Sequence, residues 1–348
     1  MHHANNWLAN MELNGTRGQL RMVTCYHCGA RLFLESALEP LSTTPCSKCG
    51  QPVMIPMRMR QFELRAIIAS GGMGTVYRAF DTMLERDVAV KLMKKELQED
   101  PAALDSFFRE ARACAQLNHT NIIHIYTFDD SDGRLYLVME LADRGSLDLR
   151  IEKGRVSELE VLDIGIKVAS ALDTALKQGL LHRDIKPGNI LFNADNEPKL
   201  VDFGLARRTD AEGDQDGTVW GTPYYIAPEK VRHEPETFHS DMYSLAGTLY
   251  HAITGRVPFE APSVEEVIAA HVHMPLTPPP ELCADRTHPT SPAIARAMAK
   301  HPADRFENYD AVIMALTAAR SQYLVGRFRK QNGGLPSPAG VLKSLFRR

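Results

Sequence analysis

The run His182-Arg183-Asp184-Ile185-Lys186-Pro187-Gly188-Asn189, followed by Asp202-Phe203-Gly204, constrains this chain more than any other stretch. It sets a carboxylate, an ammonium and an amide close together, with a second carboxylate eighteen residues after the first. Such a set suits transfer of a phosphoryl group from ATP. Asp184 can accept the proton of an attacking hydroxyl, Asn189 and Asp202 can hold Mg²⁺, and Lys186 can neutralise the moving phosphate.

At 348 residues the chain suits two or three folding units. A hydrophobic content of 44% with 24% charged residues is that of a soluble globular protein. The formal net charge of −3 argues against general nucleic-acid binding. No stretch holds 18 consecutive apolar residues, so no transmembrane helix is expected. Residues 1–21 lack the apolar core of a signal peptide, and the expected location is the cytoplasm. Four of the six cysteines form two Cys-x₂-Cys pairs, while Cys114 and Cys283 stand alone. In a cytosolic chain that pattern points to metal before disulfides.

Four stretches follow from composition: a polar segment over 1–21, the cysteine pairs over 22–57, one large domain over 62–318, and a basic tail over 319–348. Alternating apolar and polar residues predict strands over 62–91. Asp100-Pro101 reads as an N-cap and first helical position, opening a helix to about Leu117. Residues 135–139 read as a short buried strand. The clearest helix is 157–178. Ser157 and Glu160 form a capping box, Leu159, Leu162, Ile166, Ala169 and Leu176 line one face, and Gly179 stops it. Strands first and helices later predict an α+β fold with two lobes.

Gly71-Gly72-Met73-Gly74 lies between two of the predicted strands, where glycines let a backbone approach phosphates; alone, it equally fits an ordinary hairpin. Lys91 ends the apolar run 88–91 and by default is a snorkelling surface charge. Glu110, nineteen residues on, is by default a solvated helix charge. Their order, followed by 182–189, 202–204 and Ala227-Pro228-Glu229, makes them specific.

With that series the chain resembles the eukaryotic-like Ser/Thr protein kinases of bacteria, over residues 62–318. The resemblance implies a β-rich N-lobe and a helical C-lobe, preceded here by a small zinc ribbon. It implies that Gly71, Gly74 and Val76 cover the nucleotide and that Ala89 and Leu191 belong to the same site. Lys91 would bind the α/β-phosphates and be held by Glu110. Glu140 and Ala142 would offer backbone groups to adenine beyond a gatekeeper at Met139. Asp184 would be the catalytic base, supported by Lys186, with Asn189 and Asp202 as ligands of Mg²⁺ or Mn²⁺. Lys186 and Gly221-Thr222 imply Ser/Thr rather than Tyr specificity. Glu229 would pair with Arg305, and Asp241 would cap the catalytic-loop backbone. Phosphate on Thr209, Thr218 or Thr222 could switch the activation segment, with Arg183 as its partner; the equal alternative is a mobile acidic loop, in which Glu212, Asp214 and Asp216 already supply some of that charge. The family's first loop glycine falls at Ala69, whose methyl could slightly restrict that loop. Cys114 would sit in the apolar stack beside Phe203 and His182, as an inert thiol rather than a redox switch.

The spacing Cys25-x₂-Cys28-x₁₇-Cys46-x₂-Cys49 fits a zinc ribbon, in which four thiolates close a tetrahedral structural site. Gly29 and Gly50 suit knuckles whose N–H groups turn toward sulfur, and His27 reads as exposed rather than ligating. Four cysteines leave no open position for catalytic zinc. Such a module binds nucleic acid or protein, or braces a neighbour; Arg31 and few aromatics do not favour nucleic acid. The tail carries Arg320, Arg327, Arg329, Lys330, Lys343, Arg347 and Arg348 and no acid. It reads as a solvated tail, with an anionic membrane surface or the kinase itself as the alternative. The expected partners are ATP, protein substrates and a protein at the ribbon. The rival functions are a pseudokinase scaffold, which loss of Lys91, Asp184, Asn189 or Asp202 would favour, and a binding protein led by the ribbon.

Overall fold

The computed structural model describes residues 20–35, 38–203, 207–208, 223–282 and 288–331. Gly204, Thr209, Glu212, Asp214, Asp216, Thr218, Gly221, Thr222, Cys283, Lys343, Arg347 and Arg348 lie outside them, as does the side chain of Glu110. The chain divides into two compact units, residues 1–71 with 75–90 and residues 72–74 with 91–348.

The first unit opens with two antiparallel hairpins. β1 (Leu20–Thr24) pairs with β2 (Arg31–Glu35), with Thr24 opposite Arg31. β3 (Thr43–Pro45) pairs with β4 (Pro52–Met54), with Pro45 opposite Pro52. Each hairpin tip carries a cysteine pair and then a glycine in the left-handed region, Gly29 at φ 72° and Gly50 at φ 74°. Only glycine adopts that conformation without a Cβ penalty, so the two tips have the same construction. The glycine N–H groups donate to the carbonyls of Cys25 and Cys46 at 2.8 and 2.9 Å, not to sulfur as the sequence suggested. The Lys48 amide faces sulfur instead, 3.4 Å from Cys46 Sγ, and the Cys49 N–H also reaches Cys46. Val23, Cys25, Leu32, Cys46 and Val53 form the buried core of these hairpins.

β5 (Met57–Met59), β6 (Phe62–Ser70), β7 (Gly74–Asp81) and β8 (Arg86–Met93) follow as neighbours in that order. Phe62 stands opposite Asp81, and Ala69 opposite Val76. Ala69 is an exposed strand residue. Inside this first unit the guanidinium of Arg78 on β7 lies 4.6 Å from the ring centroid of Tyr26, between Cys25 and Cys28, and donates to its hydroxyl. Arg78 also pairs with Asp87 at 2.6 Å.

The second unit begins with α1 (Pro101–Ala115), capped by Asp100, whose carboxylate accepts from Ala102 N at 2.9 Å. Phe107 and Ala111 of this helix pack with Met93 and Leu137. A hairpin follows, β9 (Ile125–Ser131) and β10 (Arg134–Met139), then α2 (Leu147–Glu152) and α3 (Glu158–Lys177). In α3 the capping box is half formed. Ser157 Oγ accepts from Glu160 N at 3.4 Å, but the Glu160 carboxylate pairs with Arg150 instead of reaching back. Burial is also wider than one stripe: Val161, Ile164, Val168, Ala171, Leu172 and Ala175 join Leu162 and Ala169, while Leu159, Ile166 and Leu176 are only half-buried. Gly179, at φ 73°, ends the helix as expected.

Short strands then carry the polar motifs: β11 (Leu180–Leu181), β12 (Ile190–Phe192), β13 (Pro198–Leu200) and β14 (Arg207–Arg208), with β11 paired to β14 and β12 to β13. The rest is helical: α4 (Pro228–Val231), α5 (Phe238–Thr254), α6 (Val264–His273), α7 (Pro279–Leu282), α8 (Ser291–Ala297) and α9 (Tyr309–Gln331). α9 runs through residue 318, where composition drew the domain edge, and carries Arg320, which pairs with Asp163 at 2.6 Å. One continuous apolar core joins α3, α5, α8 and α9. None of the described helices is long and apolar enough to cross a membrane.

Candidate active site

The loop between β11 and β12 is fixed from below by α5. Asp241, fully enclosed, accepts from His182 N with one oxygen and from Arg183 N with the other, both at 2.7 Å. Burial pushes the Asp241 carboxyl up, while His182 and those two amides draw it down. The expected cap on the loop backbone is thus present. His182 is completely buried; its Nε2 lies 3.0 Å from Val201 O and its ring 4.5 Å from that of Phe203. Cys114 is buried in the same core cluster as Phe203.

Asp184 stands on this support. Its Oδ2 accepts from Lys186 Nζ at 2.6 Å and from Asn189 Nδ2 at 3.0 Å. Asn189 Nδ2 also donates to the Asp184 carbonyl at 2.8 Å. The amide nitrogen of Asn189 is thereby committed, which leaves its carbonyl oxygen as the end suited to a cation. Val201 N donates to Asn189 O at 3.0 Å, tying the residue before Asp202 to the loop. Asp202 itself is exposed and has φ 66°, while Arg183 has φ 70°. Non-glycine residues in that region cost on the order of 1–3 kcal/mol and persist where surrounding bonds over-determine them, commonly at functional sites. The sequence motifs thus bring Asp184, Lys186 and Asn189 into direct contact, with Asp202 one residue beyond.

Elsewhere in this unit the glycine-rich stretch has a packing requirement. A Cβ on Gly74 would lie 2.4 Å from Leu92 O, so the backbone crossing there admits no side chain. Lys91 Nζ lies 5.8 Å from the centroid of Phe107, and Glu110 lies on α1. Val76 is on β7, Ala89 on β8 and Leu191 on β12.

Two ion pairs near the site were not foreseen. Glu140, directly after β10, pairs with the buried Lys199 at 2.6 Å, and its backbone N–H donates to His124 O at 2.8 Å. Its carbonyl is therefore the backbone group left to face a base. Lys199 sits in a three-residue strand opposite Leu191. The second pair joins Arg183 to Glu236. Farther away, Glu229 and Arg305 form the expected pair, bidentate at 2.7 and 2.8 Å and almost wholly buried.

A second cluster holds Cys25, Cys28, Cys46 and Cys49, whose sulfurs all lie within 4.8 Å of one another. Cys25 and Cys49 Sγ are 3.7 Å apart, Cys28 and Cys46 Sγ 3.8 Å. A tetrahedron with Zn–S bonds of about 2.3 Å has edges of about 3.8 Å, whereas a disulfide would need about 2.05 Å. All four thiols are free; the N–H groups of Cys49 and Lys48 draw Cys46 down to about 6, while burial and the neighbouring thiols push Cys49 up to about 12, so the cluster shares its charge unevenly. The residues fit a closed zinc site.

Comparison with known proteins agrees with the geometry. Residues 62–305 match the protein kinase domain model. The probable serine/threonine-protein kinase PknB of Corynebacterium glutamicum is 37% identical over 260 residues, 71% of this chain and 40% of that protein. PknH of Mycobacterium tuberculosis is 35% identical over 262 residues, 75% and 42% of the two chains. PknE of the same species is 37% identical over 247 residues, 70% and 44%. The chain spans about two fifths of the length of these relatives. Most of its residues lie inside the family model, and the strands-then-helices order carries that family's motifs in sequence. The chain belongs to the protein kinase family.

Proposed function

We propose that this chain transfers the γ-phosphoryl group of ATP to Ser and Thr hydroxyls of protein substrates. The observation that carries the reading is Asp184 held at once by Lys186 and Asn189 on a loop capped by Asp241. In this reading Asp184 accepts the hydroxyl proton and Lys186 balances charge on the transferring group. Asn189 and Asp202 are the residues that would hold Mg²⁺ or Mn²⁺, which when bound neutralises the phosphate oxygens. Lys91 binds the α/β-phosphates with Glu110 as its partner. Gly71, Gly74, Val76, Ala89 and Leu191 are the residues this reading assigns to the nucleotide. The Glu140 carbonyl and the Ala142 backbone meet the adenine edge. Four cysteines hold one structural Zn²⁺ in a module that recruits a protein partner or substrate. We place the protein in the cytoplasm, where two matched Cys-x₂-Cys pairs suit metal before disulfides.

A pseudokinase scaffold is disfavoured because Lys91, Asp184, Asn189 and Asp202 are all present. The test is phosphate incorporation from Mg·ATP into a generic protein substrate, with identification of the modified residue. Phosphoserine or phosphothreonine is expected, and Asp202→Ala should lower turnover by about 10³-fold or more, the scale of a lost metal contact in such transfer. Phosphotyrosine as the main product, or undiminished turnover by Asp202→Ala, contradicts the proposal.

A further inference from the structure

Glu236 lies on the turn between α4 and α5, and its side chain is 10% exposed. One carboxylate oxygen receives Nε of Arg183 at 3.1 Å together with a terminal nitrogen of the same guanidinium. Lys230 Nζ lies 3.7 Å from the other oxygen and also reaches the Arg183 carbonyl at 3.4 Å. With Asp241 on its amide, Arg183 is gripped at its N–H, its carbonyl and its side chain. It is this residue, in the left-handed region, whose backbone aims Asp184. The same groups line a cleft that also contains Asp184 and Lys186.

The sequence assigned Arg183 to a phosphate on the activation segment. Here a carboxylate of the chain's own scaffold occupies the guanidinium fork. We propose that Glu236 is a positioning residue for phosphoryl transfer: from inside the fold it takes the place of that phosphate, holding Arg183 so that Asp184 is set without phosphorylation of the segment. The proposal rests on the kinase reading of this site. Arg183 binds a carboxylate through two nitrogens as it would a phosphate, and Lys230 adds a second cation to the same acid. The carboxylate is anchored by covalent continuity with the turn ahead of α5, so no switch is needed to bring it in. Misplacement of a reacting group by about 1 Å can cost about 10²-fold in rate, which sets the scale of the expected effect.

The test uses the full chain, with kcat and the KM for ATP measured before and after phosphatase treatment. Mass spectrometry checks that residues 205–222 are free of phosphate. Wild type is expected to keep its kcat to within about twofold when dephosphorylated, and Glu236→Gln to lose about 10- to 100-fold in kcat with KM for ATP unchanged. What activity Glu236→Gln retains should fall further on dephosphorylation, and Glu236→Asp should recover most of the loss. A merely structural pair would not create that phosphatase sensitivity. Loss of wild-type activity on dephosphorylation overturns the proposal, as does a Glu236→Gln protein that is fully active in both states. If Glu236→Gln fails to fold, the wild-type arm decides alone. Wild type inactive in every state contradicts the kinase reading itself, whereas activity only when phosphorylated contradicts Glu236 alone.

Discussion

The catalytic loop and the four-cysteine module are both short polar stretches, yet they are held in opposite ways. The loop is set by groups from elsewhere in the fold: Asp241 from α5 on its backbone, Glu236 on Arg183, and a continuous apolar core beneath. The module's own buried cluster is five residues, and its two small hairpins converge at their tips on four sulfurs. Too little apolar surface is buried there to offset chain entropy. The first region therefore carries its geometry in the protein, and in the proposal made above the second takes its geometry from a metal. The comparison teaches that equally specific motifs can differ wholly in what stabilises them.

Removing zinc is the largest perturbation that separates the two. Structural zinc binding is worth about 10–16 kcal/mol in zinc-finger peptides, so chelation should unfold the module. Within its unit the module meets β7 through Tyr26 on Arg78, a contact worth about 0.5–1 kcal/mol at an exposed site, and its β4 also packs against β6. With Mg²⁺ resupplied, turnover on a generic peptide should thus change by less than about fivefold. Protein without zinc as purified, or four thiols found as two disulfides, breaks the metal reading. Collapse of peptide turnover on Cys46→Ser shows instead that the module braces the kinase.

A smaller effect sharpens the other side. Breaking the buried pair with Glu229→Ala leaves Arg305 uncompensated and should cost about 3–5 kcal/mol, read as a lower Tm. Burial pushes the Glu229 carboxyl up, but Arg305 and Ser240 together hold it below its ordinary value. A carboxylate with a depressed folded pKa contributes stability above its unfolded pKa, and that contribution is lost as pH falls through the folded value. Acid titration of wild type should therefore show a loss of Tm below about pH 4 that Glu229→Ala lacks. Identical acid profiles would contradict the pairing. Smaller still, Tyr26→Ala should lower stability by no more than about 1 kcal/mol and leave zinc content unchanged. A larger loss would mean that the module is more than lightly attached.

Asp184, Lys186 and Asn189 were legible as a group because their motif is local: they meet within one loop and a short turn. Asp100 was legible as a cap for the same reason. What escaped were the distant charge pairs that the resemblance did not supply. Lys199 finds Glu140 and Arg183 finds Glu236 across more than fifty residues. In sequence each of these side chains has the signal of an ordinary surface charge. Tertiary packing alone decides that they are buried and opposed. Glu160 shows the same effect within α3, since a capping box was locally available but Arg150 offered a charged partner. The width of the buried face on α3 was likewise invisible to one-stripe periodicity, because the helix is enclosed by α5 and α9.

The central claim is that Asp184, positioned by its neighbours, carries out proton acceptance in ATP-dependent phosphorylation. Its most direct test is kcat for Ser/Thr peptide phosphorylation by the full chain and by Asp184→Asn, with ATP affinity measured alongside. The account predicts loss of about 10²–10⁴-fold in kcat with ATP affinity within about threefold of wild type. Asp184→Asn turning over at the wild-type rate would contradict it.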